Sequence, residues 1–221
     1  MQYDEIYEAL AALYLRLSGY FTTGLILHSA TKGQNRGEVD WLAIRMPFHN
    51  QDARAVATQD FLGDVDGITD LIICEVKSSR VGFNGSLKNP ENLADVLRWT
   101  GVIPEERIAD VVAGLLPLLD DAAPKDAVRK GVTEATVRIR PLLCYPSISS
   151  EDDDGWHLTE EEVFGFINTC LDPRNAPATC ARRYAYELWG PSFEPIIRWF
   201  KNRKSVEPLT AAALVKHLSQ P

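Results

Sequence analysis

One stretch narrows the possible folds more than any other: Asp70-Leu71-Ile72-Ile73-Cys74-Glu75-Val76-Lys77. Its first half is an almost continuous apolar run. A run of this kind suits a central strand covered on both faces, which requires helices on either side of the sheet. Its second half carries Glu75 and Lys77, two residues apart, so both side chains leave the strand on one face, roughly 7 Å apart along the chain. A carboxylate and an ammonium at the end of a buried strand must be paired, hydrated or metal-bound, because an unsatisfied buried charge costs several kcal/mol.

The rest of the chain supplies layers for such a strand. Ile6, Leu10, Leu13 and Leu17 recur at helical spacing and Gly19 supplies a stop, so residues 4 to 18 read as a helix. Tyr7, Ala11, Ala12, Tyr14 and Leu15 make it apolar nearly all round, and Glu8 stands out. Tyr20 to Ser29 reads as a strand, followed by the polar turn Thr31 to Gly37. Glu38 to Arg45 is a second strand, with Asp40, Leu42 and Ile44 expected on one face and Val39, Trp41 and Ala43 on the other. Residues 46 to 69 read as a long irregular connection with a short helical piece. After a loop over residues 80 to 90, helices are expected over Glu91 to Thr100 and Glu105 to Leu116, with Pro104 suited to the first turn of the latter, and then a strand over Thr136 to Tyr145. Glu151 to Asp154 is an acidic loop. Thr159 with Glu162 fits a capping box for a helix to Leu171, and further helices are expected over Ala178 to Trp189, Phe193 to Lys204 and Leu209 to Leu218. The order predicts an α/β fold: a mixed central sheet flanked by helices, comprising a core over residues 1–146 and a helical C-terminal extension over 147–221 packed on the same core.

The 221 residues carry a net charge of -8, which argues against nonspecific binding of nucleic acid over the whole surface while leaving room for a local basic groove. The acidic start Met1-Gln2-Tyr3-Asp4-Glu5 has no secretory pattern, no run is long enough to span a bilayer, and Cys74, Cys144, Cys170 and Cys180 form no CxxC pair. These features predict a cytoplasmic protein with reduced, structural cysteines and no membrane partner. His28, His49, His157 and His217 show no metal-ligand spacing.

Asp40 adds a second carboxylate at the start of a strand neighbouring that of Glu75. Two carboxylates with a main-chain carbonyl make an oxygen-rich site suited to a hard cation such as Mg²⁺, which keeps several waters. Lys77 would then stand beside a metal-bound water. The series Glu8, Gly37-Glu38-Val39-Asp40 and Cys74-Glu75-Val76-Lys77-Ser78 resembles the PD-(D/E)XK nuclease superfamily, with its restriction-endonuclease-like core, and especially its Holliday-junction-resolvase-like branch. The likeness covers residues 5 to 80.

That resemblance implies that Asp40, Glu75 and the Val76 carbonyl hold Mg²⁺, or Mn²⁺ in its place. Lys77 would serve the attacking water, and Glu8 a second metal or water. It implies a hydrolase cutting DNA phosphodiester bonds, with Asn92 or Arg98 as further residues near the site. Glu38 is left out of the set, being expected to face away from Asp40, and Asp64, Asp66 and Asp70 are read as turn formers rather than ligands. Lys32, Arg36, Arg198 and Lys201 are the candidate nucleic-acid contacts. The last two belong to a basic series with Arg182, Arg183, Arg203 and Lys204 around Trp199 and Phe200, for which an amphipathic helix burying Ile196, Ile197 and Phe200 is the favoured reading. Two alternatives stand beside the nuclease: a catalytically silent binding module on the same fold, and a nuclease subunit activated by a partner or ligand. A homodimer or a protein partner is compatible with either.

Overall fold

The apolar run becomes the third strand of a six-stranded mixed sheet in the computed structural model, which describes residues 3–50, 60–63, 65–78, 82–145, 156–172, 186–203 and 208–219. The chain enters through helix α1 (Tyr3–Leu17) and passes into β1 (Phe21–His28), β2 (Asn35–Arg45) and β3 (Thr69–Val76). Helices α2 (Pro90–Thr100) and α3 (Glu105–Leu115) cross over, and α4 (Lys125–Lys130) leads into β4 (Val132–Glu134) and β5 (Val137–Tyr145). Strand β6 (His157–Thr159) and helices α5 (Glu160–Leu171), α6 (Glu194–Asn202) and α7 (Ala211–Leu218) complete the described elements.

The strand order is β1-β2-β3-β5-β4, with β6 also paired to β5. Neighbours β1, β2 and β3 are antiparallel, whereas β3 and β5 are parallel and need the long crossover through α2 and α3. Strand β4 pairs with Val137 to Ile139 and β6 with Leu143 to Tyr145, so the two short strands share the far edge of β5.

Alternation along β3 separates two apolar layers. Ile72 and Cys74 join Ala43, Leu142 and Cys144 under α1, α5, α6 and α7, while Leu71 and Ile73 join Leu25, Leu27, Val39, Leu42 and Ile139 under α2 and α3. Both faces of the central strands are therefore covered, which explains why the sequence there is apolar at consecutive positions. The α/β class, the mixed sheet and the C-terminal helices all match the sequence expectation.

The facing of β2 does not. Thr23 pairs with Leu42 and Leu25 with Val39, so two steps along β1 oppose three along β2. This is a β-bulge at Asp40 and Trp41. Val39 and Leu42 lie in the α2/α3 layer with Ile44, Ala43 and Trp41 lie toward α1, and regular alternation across Asp40 is broken. Asp40 consequently does not share the face of Leu42 and Ile44.

Asp70 is also not a turn residue. It is fully buried, and its carboxylate accepts hydrogen bonds from Arg138 Nε (2.7 Å), Arg140 Nη2 (2.7 Å) and the Tyr20 hydroxyl. Asp66 is an ion partner of buried Arg45 (3.0 Å). Asp64 lies outside the described residues.

Local signals explain the boundaries of α2. Asn89 caps α2 by accepting from the Glu91 and Asn92 amides (2.8 and 3.3 Å), Pro90 opens the helix and Gly101 closes it in a left-handed conformation. Pro104 precedes α3 as its cap residue. Thr159 precedes α5 without a side-chain capping bond, so the expected capping box does not form. Residues 178–185 of the helix expected over Ala178 to Trp189 lie outside the described residues, and Tyr186–Trp189 is a 3-10 turn. The acidic run 151–154 and Cys180 are likewise outside them. Cys74 and Cys144 are free and buried, and Cys170 is buried. Among the described residues no helix is long and apolar enough to cross a membrane.

Candidate functional site

At the carboxyl end of β3 the chain leaves the sheet, and a cavity of about 170 Å³ opens there. Crevices outside the carboxyl ends of parallel strands are the usual ligand sites of open α/β sheets. Glu8, Asp40, Glu75, Val76 and Lys77 all line this cavity, from three separate elements and the residue after β3.

Each arrives for a local reason. The bulge in β2 brings Asp40 to the cavity, where its Oδ2 accepts the Val76 amide at 2.7 Å. Trp41, the other bulge residue, donates its indole N–H to the main-chain carbonyl of Glu8 (2.9 Å) and so pins α1 beside Asp40. Lys77 continues the line of β3, its amide bonded to the Cys144 carbonyl (2.9 Å). Its ammonium then folds back 2.7 Å from Glu75 Oε1 and 2.7 Å from Asn84 Oδ1. Asn84 Nδ2 donates to the same Glu75 oxygen, closing a triangle of three side chains. Glu75 is 1% exposed, and its second oxygen, Oε2, is buried with no hydrogen-bond partner among the described residues.

The electrostatics are those of crowded acids. Burial pushes the Glu8 carboxyl above its ordinary value, and Asp40 and Glu38 push it further. Burial likewise raises Asp40 against the opposing Val76 amide and Lys77 charge, and raises Glu75 against its hydrogen bond and charge interaction with Lys77. Three carboxyls are thus held up at one place, an arrangement that an added cation would relieve.

The donor chemistry fits a hard divalent ion. Oxygen ligands are available from Asp40, from the orphaned Oε2 of Glu75 and from the Val76 carbonyl, and Mg²⁺ characteristically completes such a set with water. Among the described residues no group of three or more His, Cys, Asp or Glu side chains is gathered as a ligand cluster. Only two side chains and one carbonyl are required by the expected set, with Glu8 reserved for a water or a second ion.

Glu38 is a correction. It lines the same cavity as Asp40, because residues two apart before the bulge share a strand face; the alternation rule itself was the signal. Asp4, Tyr7, Ser78 and Asn84 also line the cavity and were not anticipated. Asp4 lies four residues before Glu8 on the same helix, a spacing that could have drawn it in; no spacing to Glu8 points to Tyr7 or to Asn84.

Asn92 and Arg98 do not line it. Asn92 is buried and donates to the Ser86 carbonyl (2.9 Å), and Arg98 pairs with Asp95 and Glu105 at a separate groove between α2 and α3. Of the candidate nucleic-acid contacts, Lys32 is exposed in the β1–β2 turn. Arg36 pairs with Asp95, and Arg198 with Glu194 (2.7 Å) and Glu187 (3.5 Å). Lys201 lies in the last turn of α6, whose Ile196, Ile197, Trp199 and Phe200 are buried. Arg182, Arg183 and Lys204 lie outside the described residues.

Comparison of the chain with family models, with curated proteins and with solved structures found no match.

Proposed function

We propose that this protein is a metal-dependent nuclease that hydrolyses DNA phosphodiester bonds at the cavity beyond β3. The observation that carries the reading is the meeting of Asp40, Glu75 and Lys77, from two neighbouring strands, in one cavity where Glu75 keeps a buried oxygen without a partner. The resemblance of the Glu8, Asp40 and Glu75-Val76-Lys77 series to PD-(D/E)XK nucleases supplies the reaction and the substrate.

Asp40, Glu75 and the Val76 carbonyl would hold Mg²⁺ or Mn²⁺. Such an ion would supply Lewis acidity there, favouring deprotonation of a water and offsetting charge that develops on the phosphate. Lys77, held at the cavity by Glu75 and Asn84, would orient the attacking water and could interact with the phosphoryl oxygens. Glu8, lining the same cavity from α1, would serve as an acceptor for a water or as a ligand to a second ion. The in-line displacement needs no covalent intermediate: a water oxygen forms a bond to phosphorus, the phosphorus–oxygen bond to the leaving nucleotide breaks, and a proton is transferred to the departing alkoxide.

The test is cleavage of supercoiled, linear and branched DNA by the purified chain with Mg²⁺ or Mn²⁺, beside Lys77→Ala and Asp40→Ala. Wild-type cutting that both substitutions abolish supports the reading. Substrates left equally intact by all three proteins overturn the autonomous nuclease and favour the silent binding module or the partner-activated subunit.

A further inference from the structure

The triangle of Glu75, Lys77 and Asn84 contains one member that the proposed chemistry does not use. We propose that Asn84 is a positioning residue: it fixes the Glu75 carboxylate so that one oxygen is engaged within the protein and the other is presented to the cation, and it holds Lys77 beside them. This rests on the metal-site reading and deepens it.

Its two side-chain partners leave Asn84 one workable orientation. Its amide N–H donates to Glu75 Oε1 and its amide oxygen accepts from the Lys77 ammonium. Reversing the amide would set oxygen against carboxylate and N–H₂ against ammonium, two repulsive contacts in place of two attractive ones. Glu75 Oε1 therefore receives two donors, and Oε2 remains the oxygen without one. Asn84 decides this division, because Lys77 alone, on a long flexible stem, could approach either oxygen.

Asn84 is itself held from several directions. Its main-chain carbonyl accepts from the Leu87 and Lys88 amides (3.0 and 3.3 Å), forming the turn that leads to α2. Asn92, buried in α2, donates to the Ser86 carbonyl in that turn, and Asn89 closes it as the helix cap. Gly37 of β2 lies against the turn so closely that a Cβ there would stand 2.6 Å from Ser86 Cβ. The glycine that opens Gly37-Glu38-Val39-Asp40 thus admits the turn carrying Asn84, on the same strand that delivers Asp40. Partners that orient metal ligands in this way change metal affinity by about 10–100-fold when removed.

Mn²⁺ binding to the 221-residue chain without added metal, measured by titration calorimetry and by electron paramagnetic resonance of the free ion, tests this without reference to activity. Asn84→Leu keeps the side-chain shape and removes both hydrogen bonds. It is expected to weaken Mn²⁺ binding about 10-fold or more. Gly37→Ala keeps every hydrogen-bonding group and displaces the turn, so it should weaken binding in the same direction and carries the test if the leucine variant fails to fold. Melting temperatures without metal separate a positioning role from a structural one, since a structural role lowers the melting temperature and leaves the Mn²⁺ affinity of the folded protein unchanged. Wild-type binding that persists unaltered in both variants overturns the role of Asn84 and leaves the metal site standing. Failure of the wild type to bind Mn²⁺ overturns the metal site, and the proposal with it.

Discussion

Replacing Asp70 with Asn should destabilise the protein by about 3 kcal/mol, although the new side chain has nearly the same shape. Asp70 and Arg140 are both fully buried, and Asp70 is the only carboxylate in the described structure that pairs with Arg140. Removing one member of such a pair leaves the other charge uncompensated, at a cost of about 3–5 kcal/mol. Two features hold the cost near the lower limit: Arg140 still donates to the carbonyls of Leu62 (3.0 Å) and Arg129 (3.1 Å), and its guanidinium lies 4.9 Å from the Trp156 ring centre. For a chain of this size, about 3 kcal/mol corresponds to a fall of about 6–12 °C in melting temperature. Urea unfolding followed by circular dichroism, with Asp70→Asn, Arg140→Met and the double variant, measures both the loss and the coupling. Because the double variant no longer buries the unpaired Arg140 charge, it should be more stable than the sum of the single losses by about 1 kcal/mol or more. A loss below about 1 kcal/mol for Asp70→Asn, or strict additivity, would refute the argument.

The acids of the two ends of β3 should respond to pH with opposite signs. Glu8, Asp40 and Glu75 have raised values in the folded state, so folding is penalised above those values and the penalty is relieved as pH falls through them toward the ordinary carboxylate range. Burial raises Asp70 too, but Arg140 and Arg138 outweigh it and hold the carboxyl below its ordinary value. Its contribution is complete above about pH 4 and is lost as pH falls through the lowered folded value. Urea midpoints between pH 7 and pH 3 should show a smaller gain on mild acidification for Glu75→Gln than for the wild type, and superimposable profiles would contradict the crowding of the cavity. Mn²⁺ at about 100 times its dissociation constant should stabilise the wild type by about 2.7 kcal/mol, roughly 5–10 °C in melting temperature, and should leave Asp40→Asn unchanged; equal shifts in both proteins would place the ion elsewhere. Gly131→Ala should cost at least about 2 kcal/mol, since φ 65° and ψ -159° is a region reserved for glycine and a Cβ would stand 2.3 Å from the Ile139 carbonyl oxygen. Thermal melts decide it, and a change under about 0.5 kcal/mol would be inconsistent with that geometry.

Much of this protein is written in short-range pattern. The unbroken apolar run of β3 and the helical period of Ile6, Leu10, Leu13 and Leu17 determine elements and class, because burial and backbone preference act within a few residues. They also place Glu75 and Lys77 on one strand end. The short elements α4, β4 and β6 escaped sequence reasoning, since three to six residues carry too little periodicity and their pairing with β5 is a long-range matter. Strand alternation likewise placed Asp40 on the face of Leu42 and Ile44, because a bulge is visible only when two strands are set in register. Asp70 looked like a turn acid until Arg138 and Arg140, about 70 residues away, were brought to it on the parallel strand. Asn84 belongs to the same class: sequence alone supplied Glu75 and Lys77, while their triangle with Asn84 required the packing of a turn against Gly37, which depends on how β2 and α2 meet in space.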